Sequence, residues 1–166
     1  MFALGEKIMY GTEGVYLVSE YTDSPVDKND DRKFYVLKPV YGPQGNLIYT
    51  PVDNDKVAMR PIMCKEDALA LIDRISEIPI LEVERERNRR EIYKDAMISA
   101  DCRGYVSIIK TVYQRREELM RMKKRLSEAD TDYEKKARFC LFGELSEVLG
   151  IPMDEVEKLI YDKLKY

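Results

Sequence analysis

The sequence predicts an α+β protein in which a small, strongly bent β-barrel precedes a C-terminal four-helix domain. Two observations carry this reading. Up to Pro61 the apolar residues fall into short aromatic and β-branched runs between turn residues, whereas from Cys64 onward they recur at steps of three and four. The positive charge is also concentrated in one central segment: residues 85–125 hold 13 Lys and Arg against 6 Asp and Glu, a net of +7 in a chain of net charge −3.

The first strands are Ile8–Tyr10 and Gly14–Tyr21, joined by GTEG, whose Gly11 and Gly14 can take positive φ and close a hairpin. The acidic, Pro-containing loop TDSPVDKNDDR leads to Phe34–Val40. GPQGN turns the chain into Leu47–Pro51, and Lys56–Arg60 is read as a fifth short strand. Strands this short and this closely spaced fit a barrel of the SH3 or Tudor type over residues 1–61, an architecture common among interaction modules.

Residues 62–81 are read as a connecting helix, Cys64–Ile75, and a linker ending near Leu81. Residues 82–166 form the helical domain. Its elements are a highly charged helix over Glu82–Ile98, a long helix over Arg103–Arg125, and two more over Tyr133–Leu149 and Pro152–Leu164. In the long helix Tyr105, Ile108, Ile109, Val112, Tyr113, Leu119 and Met120 make an apolar stripe interrupted only by Arg116. Its other face is basic along a rod of about 35 Å. Thr131 with Glu134 offers a capping box, Gly150 closes the third helix of this domain, and Pro152 opens the last.

The composition argues against several function classes. With no histidine the commonest general base and transition-metal ligand is missing, and GxGxxG, P-loop and GxSxG motifs are absent, so the expectation is no enzyme, catalytic residue or cofactor. Carboxylate pairs such as Asp30 and Asp31 lie in a charged turn and read as solvated. Cys64, Cys102 and Cys140 are distant, odd in number and without CxxC, which points to reduced thiols rather than disulfides or zinc. No apolar run suits a membrane span, and Glu6 and Lys7 interrupt a signal-like N-terminus, so a cytoplasmic protein with no membrane partner is expected.

The cluster Arg85, Arg87, Arg89, Arg90 and Lys94 admits two readings. At helical spacing it can meet successive phosphates, or it can pair with Glu84, Glu86 and Glu91 as a solvated, salt-bridged helix. Tyr93 and Tyr105 could stack on bases, although their spacing suits a core.

Taken together, the motifs resemble the CarD family of bacterial transcription regulators across essentially all of the chain. LGEKIMYGTEGVYLV resembles the family's opening, FYVLKPV followed by YTPVDN its strand pair, and KVAMRPI the exit into the connecting helix. Ser99–Asp101, the long basic helix, KKAR at Lys135–Arg138 and GEL at Gly143–Leu145 continue the pattern. The resemblance implies that the barrel binds the RNA polymerase β subunit, as does the related module of transcription-repair coupling factor. It implies further that the helical domain touches promoter double-stranded DNA and alters open-complex stability, with no small-molecule substrate.

Under that expectation the edge strand Leu47, Ile48, Tyr49 and Thr50 meets polymerase by backbone pairing. Arg87, Arg89, Arg90, Lys94, Lys136 and Arg138 meet DNA. The chain departs from the family in having no tryptophan to wedge into the minor groove, that position falling at or near Glu86. It departs again around Ser24 and Tyr49, where arginines are common. The rival expectation is a protein-only adaptor whose barrel binds a partner and whose charged helices do not contact DNA.

Overall fold

The alternating pattern of the first sixty residues becomes an antiparallel sheet in the computed structural model, which describes residues 1–165. Its strands are β1 (Lys7–Tyr10), β2 (Gly14–Thr22), β3 (Phe34–Pro39), β4 (Ile48–Pro51) and β5 (Met59–Pro61), in the order β4-β3-β2-β1-β5. Gly11 (φ 49°) and Gly14 (φ 103°) make the first hairpin as their lack of a Cβ allows. The sheet is open, with β4 and β5 as its two edges. β5 starts later than the sequence suggests, because the Asn54 side chain closes residues 54–57 into a turn: its amide donates to the Val57 carbonyl at 2.8 Å and its oxygen accepts from the Lys56 N–H at 3.1 Å.

One face of the sheet buries Ile8, Tyr16, Val18, Tyr35 and Leu37 under Phe2, Tyr10, Ile48, Val52 and Met59. The other contributes Met9 and Val15 to a larger core shared with the helices. Those helices are α1 (Lys65–Asp73), α2 (Arg89–Ile98), α3 (Cys102–Arg121), α4 (Glu128–Leu149) and α5 (Met153–Leu164). Their number in the packed layer is five rather than four, because α1 is no mere connector: Ala68 and Ile72 enter the same core as α3, α4 and α5.

Three boundaries move, each for a local reason. α2 does not begin at Glu82, because α3 captures the preceding chain: Ser107 donates to the Pro79 carbonyl at 2.9 Å and Thr111 accepts the Leu81 N–H at 2.8 Å. Only a 3-10 turn at Glu86–Asn88 precedes the helix. α3 stops at Arg121, four residues early, because Lys123 takes a left-handed φ of 55°. α4 starts at Glu128 with Ser127 and Asp130 as the capping box, whereas Glu134 is turned inward to pair with Arg116 at 2.5 Å. Gly150 (φ 66°) ends α4 as expected, and Pro152 stands just before α5, its carbonyl accepting from the Glu155 and Val156 N–H groups at 3.1 Å.

α2 and α3 approach so closely that a Cβ on Gly104 would lie 2.1 Å from the Ala96 carbonyl oxygen. Across the layers the joint is polar. Glu144 on α4 is fully buried and accepts from both terminal nitrogens of Arg60 on β5 (2.6 and 2.7 Å), from the Met63 N–H (2.9 Å) and from the Cys102 thiol (2.9 Å). Arg60 Nε donates to the carbonyl of Ala100, itself left-handed at φ 56°. Nearby, Glu147 pairs with Lys7 and accepts from the Tyr41 hydroxyl at 3.0 Å.

Truncating Arg60 leaves a buried carboxylate without its counter-charge, so Arg60→Ala is expected to cost roughly 3 kcal/mol in urea unfolding. An Arg60→Met, Glu144→Leu double variant should recover part of that loss, since an apolar pair carries no desolvation penalty. Additive single losses in the double variant would contradict this account of the joint.

Candidate nucleic-acid and partner interfaces

The antiparallel run of α2, α3 and α4 places the start of α2, the end of α3 and the start of α4 at one end of the helical layer. A hydrogen-bonded network fixes that end. Asp130, fully buried, accepts from the Tyr93 hydroxyl (2.6 Å), from Arg115 Nε (2.8 Å) and from the Ser127 hydroxyl and N–H (2.9 and 3.0 Å). Arg89 donates to both carboxylate oxygens of Glu86 (2.8 and 3.0 Å) and to Tyr93 (3.0 Å), and Arg115 also reaches Glu86 at 3.1 Å. Burial pushes the Asp130 carboxyl up, but the bonds from Tyr93, Ser127 and Arg115 outweigh it and hold the group below the usual carboxylate range. Arg89 likewise holds Glu86 low, and burial pushes the Tyr93 phenol up.

This network corrects one expected contact. Arg89 is 5% exposed and committed to Glu86, Tyr93 and Asp130, so its guanidinium is unavailable to a phosphate. Tyr93 and Tyr105 are core residues. Arg138 is also engaged, paired with Glu157 and lying over the Phe142 and Tyr161 rings at 5.5 and 5.7 Å. It faces α5 rather than α2.

The other cations do converge. Arg90 from α2 and Lys136 from α4 lie over the same Tyr133 ring, at 5.8 and 5.0 Å from its centroid, and Arg90 also touches Asp132 at 3.3 Å. Lys94 is one turn further along α2, Arg87 one turn before Arg90, and Lys135 beside Lys136; all are exposed. Among the described residues, Arg87, Lys94, Lys135 and Lys136 have no carboxylate within 4.0 Å, which leaves them free for an external anion. Tyr133, the ring that organises this face, was not singled out in the sequence; its only signal is the three-residue step to Lys136.

Much of the basic face of α3 is used internally. Lys110 donates to the carbonyls of Ile75 (2.8 Å), Ser76 (3.2 Å) and Ile78, while Arg115 and Arg116 serve Asp130 and Glu134. Met120, expected in the apolar stripe, is exposed.

Within the sheet, β4 offers a free edge. The Val52 N–H bonds the Lys33 carbonyl at 2.9 Å, and by antiparallel alternation the backbone groups of Thr50 and Ile48 also face β3. The N–H and C=O of Tyr49 then face outward, next to Pro51, which has no N–H to waste there. The Leu47 and Tyr49 side chains are exposed, Ile48 is half-buried, and Thr50 is buried, so Thr50 can serve a partner only through its position in the strand.

Glu144 and Asp132 lie twelve residues apart on α4, about 18 Å along its axis, and the β1–β2 hairpin packs between them: Cys140 donates to the Thr12 carbonyl at 3.5 Å, and Thr12 and Glu13 share a concavity with Asp132, Lys135, Lys136 and Phe139. No helix is long and apolar enough to cross a membrane. No protein-family model matches the chain, and no curated protein matches it.

The buried carboxylate of Asp130 gives a pH test. Because its folded pKa lies below the unfolded value of about 3.9, its contribution is fully present above that value and is lost as pH falls through the lowered folded value. Asp130→Asn is expected to cost roughly 3 kcal/mol at pH 7, and the gap to the wild type should close as unfolding is followed down toward pH 2. A gap that stayed constant with pH would assign the loss to packing alone.

Proposed function

We propose that this protein is a CarD-like, non-enzymatic transcription regulator that holds RNA polymerase through the β4 edge of a Tudor-like sheet and duplex DNA through the face of Arg87, Arg90, Lys94 and Lys136. The observation that carries the reading is the sorting of the cations. In a chain of net charge −3, Arg89, Arg115, Arg116 and Arg138 are consumed by internal carboxylates. Arg87, Lys94, Lys135 and Lys136 are exposed and left unpaired, and Lys136 meets Arg90 over the Tyr133 ring. Free, convergent cations are what a phosphate backbone recognises, and releasing its counterions supplies sequence-independent affinity.

The mechanism is tethering. A polymerase strand adds to β4 through the outward N–H and C=O of Tyr49, with Leu47 and Tyr49 supplying side-chain contact. The helical layer, rigidly joined to the sheet at Glu144, then presents its cations to promoter DNA and stabilises the melted complex without chemistry of its own. At the family's wedge position Glu86 is tied to Arg89 and Arg115 and has no π-face to replace base stacking, so the gain in open-complex lifetime is modest. The pairing of Arg90 with Asp132 and of Arg138 with Glu157 favours the second reading, a protein-only adaptor, to the extent that these cations are already satisfied.

Three measurements decide between the readings. Duplex-DNA affinity of the full chain across a salt series should fall with a slope that flattens by up to about 0.9 for each of Arg87, Lys94 and Lys136 replaced by Ala. A wild-type slope near zero with polymerase binding intact would establish the adaptor. Tyr49→Pro removes the outward N–H together with the exposed Tyr49 ring and should abolish pull-down of the β subunit, whereas Tyr49→Ala, which removes the ring alone, should only weaken it; undiminished pull-down with Tyr49→Pro would rule out strand addition. Glu86→Trp should lengthen the lifetime of competitor-challenged promoter complexes, and no change would remove the wedge from the account.

A further inference from the structure

The end of α3 breaks two local preferences at once. The Lys124 N–H bonds the Leu119 carbonyl at 2.8 Å and the Lys123 N–H bonds the Met120 carbonyl at 3.1 Å, the paired bonds of a Schellman motif. In that motif the left-handed residue is ordinarily Gly and the next one apolar, the first to avoid Cβ strain and the second to pack back on the helix. Here both are lysine, and Lys123 holds φ 55°. The same chain uses glycine in the equivalent left-handed place at the end of α4, where Gly150 has φ 66°. Helix termination therefore does not explain the two lysines.

Their surroundings are equally pointed. Arg121, Lys123, Lys124 and Arg125 are all exposed, and among the described residues none has a carboxylate within 4.0 Å, whereas Arg89, Arg90, Arg115 and Arg116 nearby all do. Arg121 in the last turn can offset the helix dipole, but the other three lie beyond it. Met120 and Met122 are exposed between them, and a shallow concavity runs from Met120 and Lys124 to Leu126 and Thr131 at the start of α4. The Arg115 bonds to Glu86 and Asp130 put this corner at the same end of the helical layer as Arg87 and Arg90.

We infer that the α3–α4 corner, Arg121, Lys123, Lys124 and Arg125, is a second phosphate-contacting surface that extends the DNA face onto a further stretch of the duplex. The inference rests on the DNA-binding reading above. Continuity with Arg87 and Arg90 favours duplex DNA over an acidic protein, because a rod of phosphates can run across both sets of cations while a folded acidic partner would need to match each separately. The methionines suit the apolar faces of the deoxyriboses between phosphates.

The test exploits the strained lysine. Lys123→Gly in the full chain removes one charge and the left-handed strain together, so the melting temperature should rise while the salt slope for duplex DNA falls by about 0.9. Replacing all four cations by Gln should lower the slope by up to about 3.6 with folding unchanged. Arg87→Ala with Arg90→Ala is measured in parallel. If the corner variants leave the slope unaltered while the Arg87 and Arg90 variant lowers it, this inference fails and the DNA-binding reading stands. A wild type without salt-dependent binding overturns both. Corner-dependent binding of a polyglutamate peptide with none to duplex would overturn it in favour of an acidic protein.

Discussion

Everything in this structure is indexed to one buried carboxylate. Glu144 has no contact with water, and an ionised group so placed is tolerable only when its lone pairs are filled. They are filled from three directions: by Arg60 on the edge strand of the sheet, by the backbone of Met63 leading into α1, and by Cys102 at the start of α3. Burial, with Glu144 alongside, pushes the Cys102 thiol up and keeps its proton available as a donor. Arg60 in turn holds the carbonyl of Ala100, a residue with a Cβ in left-handed backbone. A side chain that satisfies Glu144 thus also fixes the turn between α2 and α3, so the angle of sheet on helices and the path of the helices are one constraint.

The cations of this chain divide into cement and contact, and sequence cannot tell them apart. Lys110 binds three carbonyls in the turn beyond α1, Arg115 bridges Asp130 and Glu86, and Arg116 serves a buried Glu134. The segment of net charge +7 therefore projects a weaker field than its composition implies. What reaches solvent unpaired is a smaller set, and its placement matters more than its count.

Local chemistry was legible in the sequence, and long-range pairing was not. The β strands follow from alternation and from turn glycines, and α3, α4 and α5 from apolar steps of three and four with Gly150 as a stop; all of these depend on neighbours within a few residues. Arg89 was misplaced because buried and exposed arginines share one helical spacing, and the residue that draws it inward, Asp130, lies 41 positions away. The start of α2 was missed for a similar reason: Ser107 and Thr111, which hold residues 79–81 extended, belong to another helix. At α4 two overlapping capping boxes competed, and burial of Asp130 decided for the earlier one. Of the candidate sites, the exposure of Arg87, Lys94 and Lys136 could be read from their polar surroundings, whereas the convergence of Arg90 and Lys136 on Tyr133 required the packing of α2 on α4.

α4 carries the Arg60–Glu144 joint near its C-terminal end, the β1–β2 hairpin against Phe139 and Cys140 at its middle, and the Asp132–Lys136 face near its N-terminal end, on one uninterrupted helix of 22 residues. A helix is stiff along its axis and advances about 100° per residue, so the two surfaces are locked in azimuth as well as in distance. The molecule behaves as a crank: whatever grips the sheet sets the compass bearing of the cations. Lengthening this helix by a single residue between Lys136 and Phe139 would turn the Asp132–Lys136 segment by more than a quarter turn about Glu144 and pull it out of register with the Thr12–Glu13 hairpin beside it. Phase along α4 is therefore as much a functional property of this chain as any charge it displays.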